Sequence, residues 1–545
     1  MRFLPVTSDA LLVELADLDQ TLALLASLQS DPLHGVAELV PAARSILVRF
    51  RPLATSATAL VQAIAARDLS QRVERSSTLI EIPVRYNGED LAEVARLLGI
   101  TPEEVVRRHT GSEYTVAFTG FAPGFAYLSG GHPSFNVPRR STPRTQIPAG
   151  AVGLAGIFSG VYPRASPGGW QIIGATPAVM WDMGRAQPPL LQPGYRVRFV
   201  DIATLEGTDT SSRTGADATA REVSPATDTR SQDCAAAALK VKGTGLLTVF
   251  QDLGRHYQAR QGVSASGAMD QAALKMANRL VGNRSDAAAL ETVGGGLQLL
   301  SQGETVLAVT GAEIPLTVHT ADGRRWRAPS HQAVALADGD TLCIGQPVAG
   351  ARCYVAARGG FAVVPVLGSC ATDTLAGVGP APLAVGDVLR LLPAPAGAVV
   401  GMPELPAVDL PKVGQEVVLD VVLGPRTDWF TPESVARLFA QRWLVTPQSN
   451  RVGLRLVGEM PLERAITDEL ASEGTALGAL QVPPSGQPVL FMADHPLTGG
   501  YPVIGAVAPH HLDRAGQVPV GAWLRFNPIN AFEELQPSAS QPSAT

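Results

Sequence analysis

The chain has 545 residues, of which 54 are Gly and 43 Pro, with 17% charged residues and a formal net charge of −6. That length suffices for about three or four separately packed domains, and a Gly/Pro-rich, charge-poor composition favours turn-rich β structure and excludes wholesale disorder. A mild negative balance without long basic runs excludes nucleic acid or an anionic membrane surface as the main partner.

In chain order, residues 1–83 read as short strands (RFLPV, ALLVEL, Val36–Leu39, Ser45–Phe50, LIEIPV) alternating with helices near Leu18–Leu28 and Ala54–Ala66, a small α+β domain. Two helix starts follow, Asp90 with Glu93 and Thr101 with Pro102 and Glu104, each placing a side-chain acceptor where first-turn amides lack partners. They lead into a β domain over 84–203. Residues 204–237, rich in Ser, Thr, Asp, Gly and Ala, hold too little apolar content for a core and read as a flexible linker. Beyond it, strand-like segments recur around one amphipathic helix that starts near Asp270 and ends at Gly282 or Asn283. Two β subdomains, 238–399 and 400–530, are expected there, with a disordered tail over 531–545. The fold class is mainly β, with an α+β N-terminal domain.

Two distant stretches share one order of residues. GAVGLAGIFSGVY…GGWQIIG (Gly150–Gly174) closes with PGYRVRF, and GALQVPPSGQP…GGYPVIG (Gly478–Gly505) closes with VGAWLRF. Such a shared order predicts one β-rich unit used twice, with glycines marking tight turns or close backbone approaches. ADGDTLCIG (Ala337–Gly345) and AVGDVLRL (Ala384–Leu391) resemble its closing strands.

The common signatures for nucleotide loops, dinucleotide sites, zincins and serine hydrolases are absent. Gly294–Gly296 precedes a strand-like run and no helix start, so it reads as a turn and not as a phosphate cradle. His510 and His511 have no second ligand pair in sequence, and no metal site is expected. The four cysteines form no C-x-x-C pair and read as buried thiols of a reducing compartment. No window approaches the roughly 18 apolar residues of a membrane span, and a soluble cytoplasmic protein is expected.

Candidate binding residues concentrate in Gly120–Tyr162. Pro123-Gly124 sets a tight turn whose amides can approach a ligand, with Phe121, Phe125 and Tyr127 as an apolar wall and Tyr162 close by. Arg139, Arg140 and Arg144, stiffened by Pro138 and Pro143, present guanidiniums to a carboxylate or phosphate, or brace loops and pair with surface acids. In the second half, Gln251, Asp252 and Arg255, then Ser264, Ser266 and Asp270, form a polar cluster before the helix, where Asp270 also reads as an N-cap. Arg451, Gln481, Asp494, His495 and Tyr501 fall at strand ends. Asp494 follows the apolar run VLFMA and reads either as a partly desolvated base or anchor, or as a turn residue ahead of Pro496.

With GFAPGFAYL, PRRSTPR, IPAGAVGLAG and YPRASPGGWQIIGATP in residues 1–203, and FQDLGR, SASGAMDQAALKMANRLVGN, LET, RGGF, NRVGLRLVG and DHPLTGGYP in residues 238–530, the chain resembles a fusion of the B-type and C-type components of 5-oxoprolinase, a family also called KipI and KipA or allophanate-hydrolase subunits 1 and 2. The resemblance implies cyclophilin-like β-barrels and, with a separate A-type component of 5-oxoprolinase as partner, ATP-dependent opening of 5-oxoproline to glutamate, with Mg as the counterion of ATP. It implies Asp494, Gln481 and Asp252 as catalytic groups, and Pro123, Gly124, Phe125, Arg139, Arg140, Arg144, Tyr162, Gln251, Arg255, Ser266, Arg451 and Tyr501 around substrate or nucleotide. Two barrels meeting across a common cleft are the expected architecture, and a homo-oligomer is compatible with it. The chain departs from the C-type pattern at Gly368–Asp387, where the arginines of a GSR-type turn and of a G-G-x-x-G-R-x-L segment are absent. The same resemblance reaches the carboxyltransferase domain of biotin-dependent urea carboxylase, which implies carboxybiotin as the donor, and the KipI-type inhibitors of sensor histidine kinases.

Overall fold

A computed structural model describes residues 1–69, 76–140, 142, 144–205, 237–405 and 409–537. The expected linker lies almost wholly outside these residues, as do Cys234 and Pro143. Its first two positions, 204 and 205, end a helical turn at Ile202–Leu205.

The N-terminal sheet has the order Arg2–Thr7, Ala10–Glu14, Ser45–Phe50, Val36–Pro41. Helices Leu18–Ser30 and Ala57–Ala65 start where Asp17 and Ser56 accept the amides of Gln20 and Ala59. They bury Leu24, Leu28, Leu60 and Ile64 against Leu11, Val13, Ile46 and Val48. LIEIPV is not part of this domain: strand Leu79–Val84 pairs in parallel with Arg196–Asp201, residue for residue. The boundary at 83 therefore falls inside the next unit, because a strand's partner is chosen by the face it buries and not by its neighbours in sequence.

That next unit is a seven-stranded half-barrel with the order Gln171–Ala175, Ala151–Ala155, Phe158–Val161, Ala126–Ser129, Glu113–Thr119, Arg196–Asp201, Leu79–Val84. Its outer edges touch where Arg85 and Ala175 exchange backbone hydrogen bonds of 2.8 and 2.9 Å. A closed seven-stranded barrel forms the last unit, in the order Glu416–Leu423, Val503–Val507, Ala479–Gln481, Val489–Phe491, Gly453–Val457, Trp443–Val445, Trp523–Pro528. The two orders coincide strand for strand, each with one parallel pair between its first and last strands in sequence. Helices Pro102–Thr110 and Pro432–Ala440 open alike, Thr101 and Thr431 capping a Thr-Pro-Glu start. The repeat read from the glycines is thus a repeat of whole topology.

Between them, residues 238–391 form two facing sheets of six and five strands around one apolar core, with helix Gln271–Leu280 laid on strands Thr305–Glu313 and Ala349–Ala357. Thr341–Ile344 and Val388–Arg390 belong here and have only antiparallel partners. Their likeness to the closing strands of the repeat is a left-handed glycine ahead of the strand, Gly339 and Gly386 as at Gly194 and Gly521, and nothing more. The tail expectation is corrected for its described part, 531–537: Leu535 N–H donates to Phe3 O at 2.9 Å, Glu534 pairs with Arg2, and Phe532 and Leu535 pack on the N-terminal domain; residues 538–545 lie outside the described residues. No helix among the described residues is long and apolar enough to cross a membrane.

Candidate functional site

The loops singled out in the second half converge under the turn at 371–379. Strand Leu247–Gln251 delivers Gln251, Asp252 and Arg255, and Ser264–Asp270 approaches from the helix start. The closed barrel contributes Arg451 and, just beyond Val489–Phe491, Asp494.

Arg451, Glu291 and Asp494 are at most 1% exposed. Arg451 Nη1 donates to Glu291 at 2.5 Å, Nε and Nη2 to the two Asp494 oxygens at 3.0 and 2.9 Å, and Nη2 to Gly267 O at 2.7 Å. Glu291 also accepts from Tyr354 Oη at 2.7 Å and Met269 N–H at 3.0 Å. Asp494 accepts further from Ser266 Oγ (2.7 Å), Thr374 N–H (2.8 Å) and Thr374 Oγ1 (2.7 Å). Burial works against the Asp494 carboxylate, but Arg451 and these donors hold it below the usual range. A buried pair so fully hydrogen-bonded persists as a unit, since removing one partner strands the other at a cost of about 3–5 kcal/mol.

Asp373 lies beside this pair and differs from it. It accepts from Ser264 Oγ (2.7 Å) and from the amides of Leu375 (3.0 Å) and Ala376 (2.7 Å), but has no ion pair among the described residues. Burial, then the charge of Asp494, push its carboxyl up to about 7. A carboxyl with that affinity can hold or release a proton near neutrality.

Of the expected catalytic groups, Asp494 is central: its backbone lies in a turn closed by His495 N–H on Met492 O at 3.1 Å, while its side chain anchors the charged network. Asp252 is a clamp, accepting from Gly254 N–H (2.8 Å), Ser369 Oγ (2.6 Å) and Cys370 N–H (2.6 Å). Gln481 sits apart, donating to Tyr501 O at 3.2 Å, while the Tyr501 ring lies under Arg464. Gln251 Nε2 donates to Thr372 O at 2.8 Å, and Arg255 Nη2 donates to Ala371 O. Gln251 Oε1 and Arg255 Nη1 are buried without a partner, and burial lowers the Arg255 guanidinium. Asp270 caps its helix, accepting from Ala273 N–H at 2.9 Å.

The first-half expectations need correction. Arg140 donates to Asp90 at 2.6 Å, and Arg144 reaches both Asp90 oxygens at 2.8 Å and Glu89 at 3.0 Å. Asp90, only 3% exposed, also accepts Ile172 N–H at 2.7 Å, so its side chain does not cap helix Leu91–Leu98. Two guanidiniums and a buried amide outcompete a helix terminus. Arg139 crosses to the barrel, donating to Leu470 O (3.1 Å) and Ser472 Oγ (3.0 Å) beside Glu469. None of the three arginines is free for a ligand in this arrangement. Pro123 and Gly124 lie in a buried turn, with Gly124 at φ 79°. Phe125 and Tyr162 are each 1% exposed and pack edge to face with each other, Phe121 and Trp170. They are core, and not the wall of an open pocket.

Those loops nevertheless meet the other half and do not point apart. Thr119 Oγ1 donates to Arg260 O (2.8 Å), Gly124 N–H to Gln261 O (3.4 Å), and Tyr127 Oη lies 3.2 Å from Thr498 Oγ1. Sequence reasoning missed Asp373, Glu291, Thr374 and Arg164. Glu291 lies in LET, quoted for the resemblance without a role for its carboxylate, and Asp373 and Thr374 lie in GSCATDTLAGVG, where the chain departs from the C-type pattern. A cavity of about 600 Å³ lies elsewhere, between the N-terminal domain and His256-Tyr257, and holds none of the network residues. His510, His511 and Asp420 gather within 4.8 Å. His511 Nδ1, however, already accepts Asp420 N–H at 2.8 Å, so a hydrogen-bonded knot accounts for the group.

Residues 1–191 match the carboxyltransferase domain, subdomain C and D, and residues 261–528 the carboxyltransferase domain, subdomain A and B. The chain belongs to this carboxyltransferase-domain family as a fusion of two halves, the first like the B-type component of 5-oxoprolinase and the second like its C-type component. The first half is 41% identical over 197 residues to the B-type 5-oxoprolinase component of Bacillus subtilis, covering 33% of this chain and 82% of the relative. The second is 34% identical over 307 residues to the C-type 5-oxoprolinase component of Escherichia coli, covering 56% of this chain and 95% of the relative. The crystal structure of TTHA0988 superposes with a TM-score of 0.77 at 32% identity, covering 95% of this chain and 99% of that one. The second half also resembles the urea amidolyase of Saccharomyces cerevisiae, 34% identical over 314 residues, or 54% of this chain and 17% of the relative.

Proposed function

We propose that this chain is the fused B/C component of a cytoplasmic, ATP-dependent 5-oxoprolinase that opens 5-oxoproline to L-glutamate together with a separate A-type component. The observation that carries the reading is the convergence of the motif loops from both halves on one seam, above a buried network with a carboxyl poised near neutrality. A lactam is resonance-stabilised, so phosphorylating its carbonyl oxygen before water adds to the carbon is a chemical reason to consume ATP. Asp373 is the group able to exchange a proton during water addition or departure of the ring nitrogen, while Arg451 and Asp494 hold its surroundings rigid. ATP and its Mg belong with the A-type component on this reading. Arg140 and Arg144 are ion-paired with Asp90, and the sequence has no glycine-rich phosphate loop. The seven-stranded units are the cyclophilin-like barrels of the resemblance.

Mixing the chain with its cognate A-type component, ATP and 5-oxoproline should yield glutamate. No glutamate above the single-component controls, with both proteins folded, refutes the proposal. The likeness to urea amidolyase favours a second reading, carboxyl transfer from carboxybiotin to an amide. That reading requires product with a biotin carboxylase and biotinylated carrier in place of the A-type component.

A further inference from the structure

One guanidinium at the seam is unexplained by the network. Arg164 sits in the turn before strand Ser166–Gly168 of the first half, half-buried, with no hydrogen bond or ion pair among the described residues. It reaches the second half at Gly377 (φ 63°), where an added Cβ would stand 2.2 Å from Arg164 Nη1. Two residues on, a Cβ on Gly379 would stand 3.0 Å from Arg255 Nη2. Arg255 is 2% exposed and its Nη1 is buried without a partner, which leaves a guanidinium N–H able to take a further acceptor. The turn at 371–379 therefore carries a guanidinium from each half: glycine at 377 leaves room for Arg164, while glycine at 379 is required first by Ala371 O, 2.1 Å from its Cβ position.

We propose that Arg164, Arg255 and the 371–379 turn form a carboxylate seat shared between the two halves. A carboxylate matches the planar fork of a guanidinium. A monoanion suits the site better than a phosphate dianion, because Asp494 stays charged nearby while Asp373 is partly neutral near pH 7. Only the identity of the acid rests on the 5-oxoprolinase reading, under which the seat takes the carboxylate of 5-oxoproline.

The test is calorimetric titration of the full chain with 5-oxoproline, with its decarboxylated analogue 2-pyrrolidinone, and with glutarate. Arg164→Gln should weaken 5-oxoproline at least tenfold, leave 2-pyrrolidinone unchanged and keep the melting temperature, with Arg164→Lys in between. Gly377→Ala, which sets a methyl group against an intact Arg164, should also weaken the acids. Equal binding of acids by wild type and Arg164→Gln, or no binding of either acid by wild type, overturns the seat. Glutarate binding that depends on Arg164, without 5-oxoproline binding or glutamate production in the complete assay, supports the seat and sinks the lactam reading instead.

Discussion

Asp373 and Asp494 are each hydrogen-bonded by a serine of the same short segment, Ser264 and Ser266, yet only Asp494 has a guanidinium against it. Burial and then the Asp494 charge raise Asp373, while Arg451 together with the Ser266 and Thr374 donors outweighs burial at Asp494 and lowers it. An unfolded chain releases the Asp373 proton near pH 4, while the folded chain keeps it to about 7. Across that window the folded state holds more protons, so this group makes stability fall as pH rises, with no further loss above the folded value. The buried His495, lowered to about 4, contributes the opposite slope over part of the range, so the comparison must be a difference between proteins. In Asp373→Asn the amide oxygen can still accept Leu375 and Ala376, and Ser264 can turn to accept. The variant should lose less melting temperature than wild type between pH 4 and pH 7. Parallel curves from thermal melts at half-unit intervals would rule out an elevated Asp373.

At the scale of elements, the glycine-spaced repeat was legible because tight turns and close backbone contacts leave a compositional trace. The helix starts at Thr101 and Asp270 were legible from capping chemistry in the same way, whereas helix Pro432–Ala440, capped alike by Thr431, is a second helix beyond the one expected in that half. Partner choice was not legible, since Leu79–Val84 carries no local mark of its parallel neighbour 117 positions later. Nor was the fate of Asp90, which depends on arginines about 50 residues away. The candidate site divides similarly: Asp494, Arg451, Ser266, Gln251 and Arg255 stood out beside turns, whereas Asp373, Glu291 and Arg164 gain meaning only from three-dimensional neighbours. Gly294–Gly296, read as a turn, joins strand Ala289–Val293 to Leu297–Gln302 with φ values of 69°, 71° and 86°. A Cβ on Gly295 would stand 1.6 Å from Gly345 O. Gly295→Ala should therefore destabilise the chain by about 1–3 kcal/mol from backbone strain alone, with an added cost for displacing Gly345. Chemical denaturation checks this, and a change within about 0.5 kcal/mol, the scale of a neutral surface substitution, would show that the turn relaxes freely.

For the whole molecule, the two halves are joined by more than the continuity of the chain through 206–236. Arg426, 2% exposed, is held between Glu473 of its own half and Glu14 of the N-terminal domain, with Nε 3.0 Å from both Glu473 oxygens and Nη2 2.9 Å from Glu14. Arg2 extends the cluster to Glu14, Asp428 and Glu534. Separating the halves would break the Arg426–Glu14 and Arg2–Asp428 pairs and expose the apolar clusters that span the seam. A protease site inserted within 206–236 should yield two fragments that still co-elute on size exclusion at moderate salt. Fragments that separate would show that the tether, and not the seam, holds the halves together.

The hydrogen bond between Leu535 and Phe3 brings the extremities of the described chain side by side. Which half is translated first is then immaterial to the packing. A circular permutant that begins near Ala237, bridges the old ends with a few residues and stops near Asp201 would draw the same seams, so a gene written in the reverse order of halves encodes the same object.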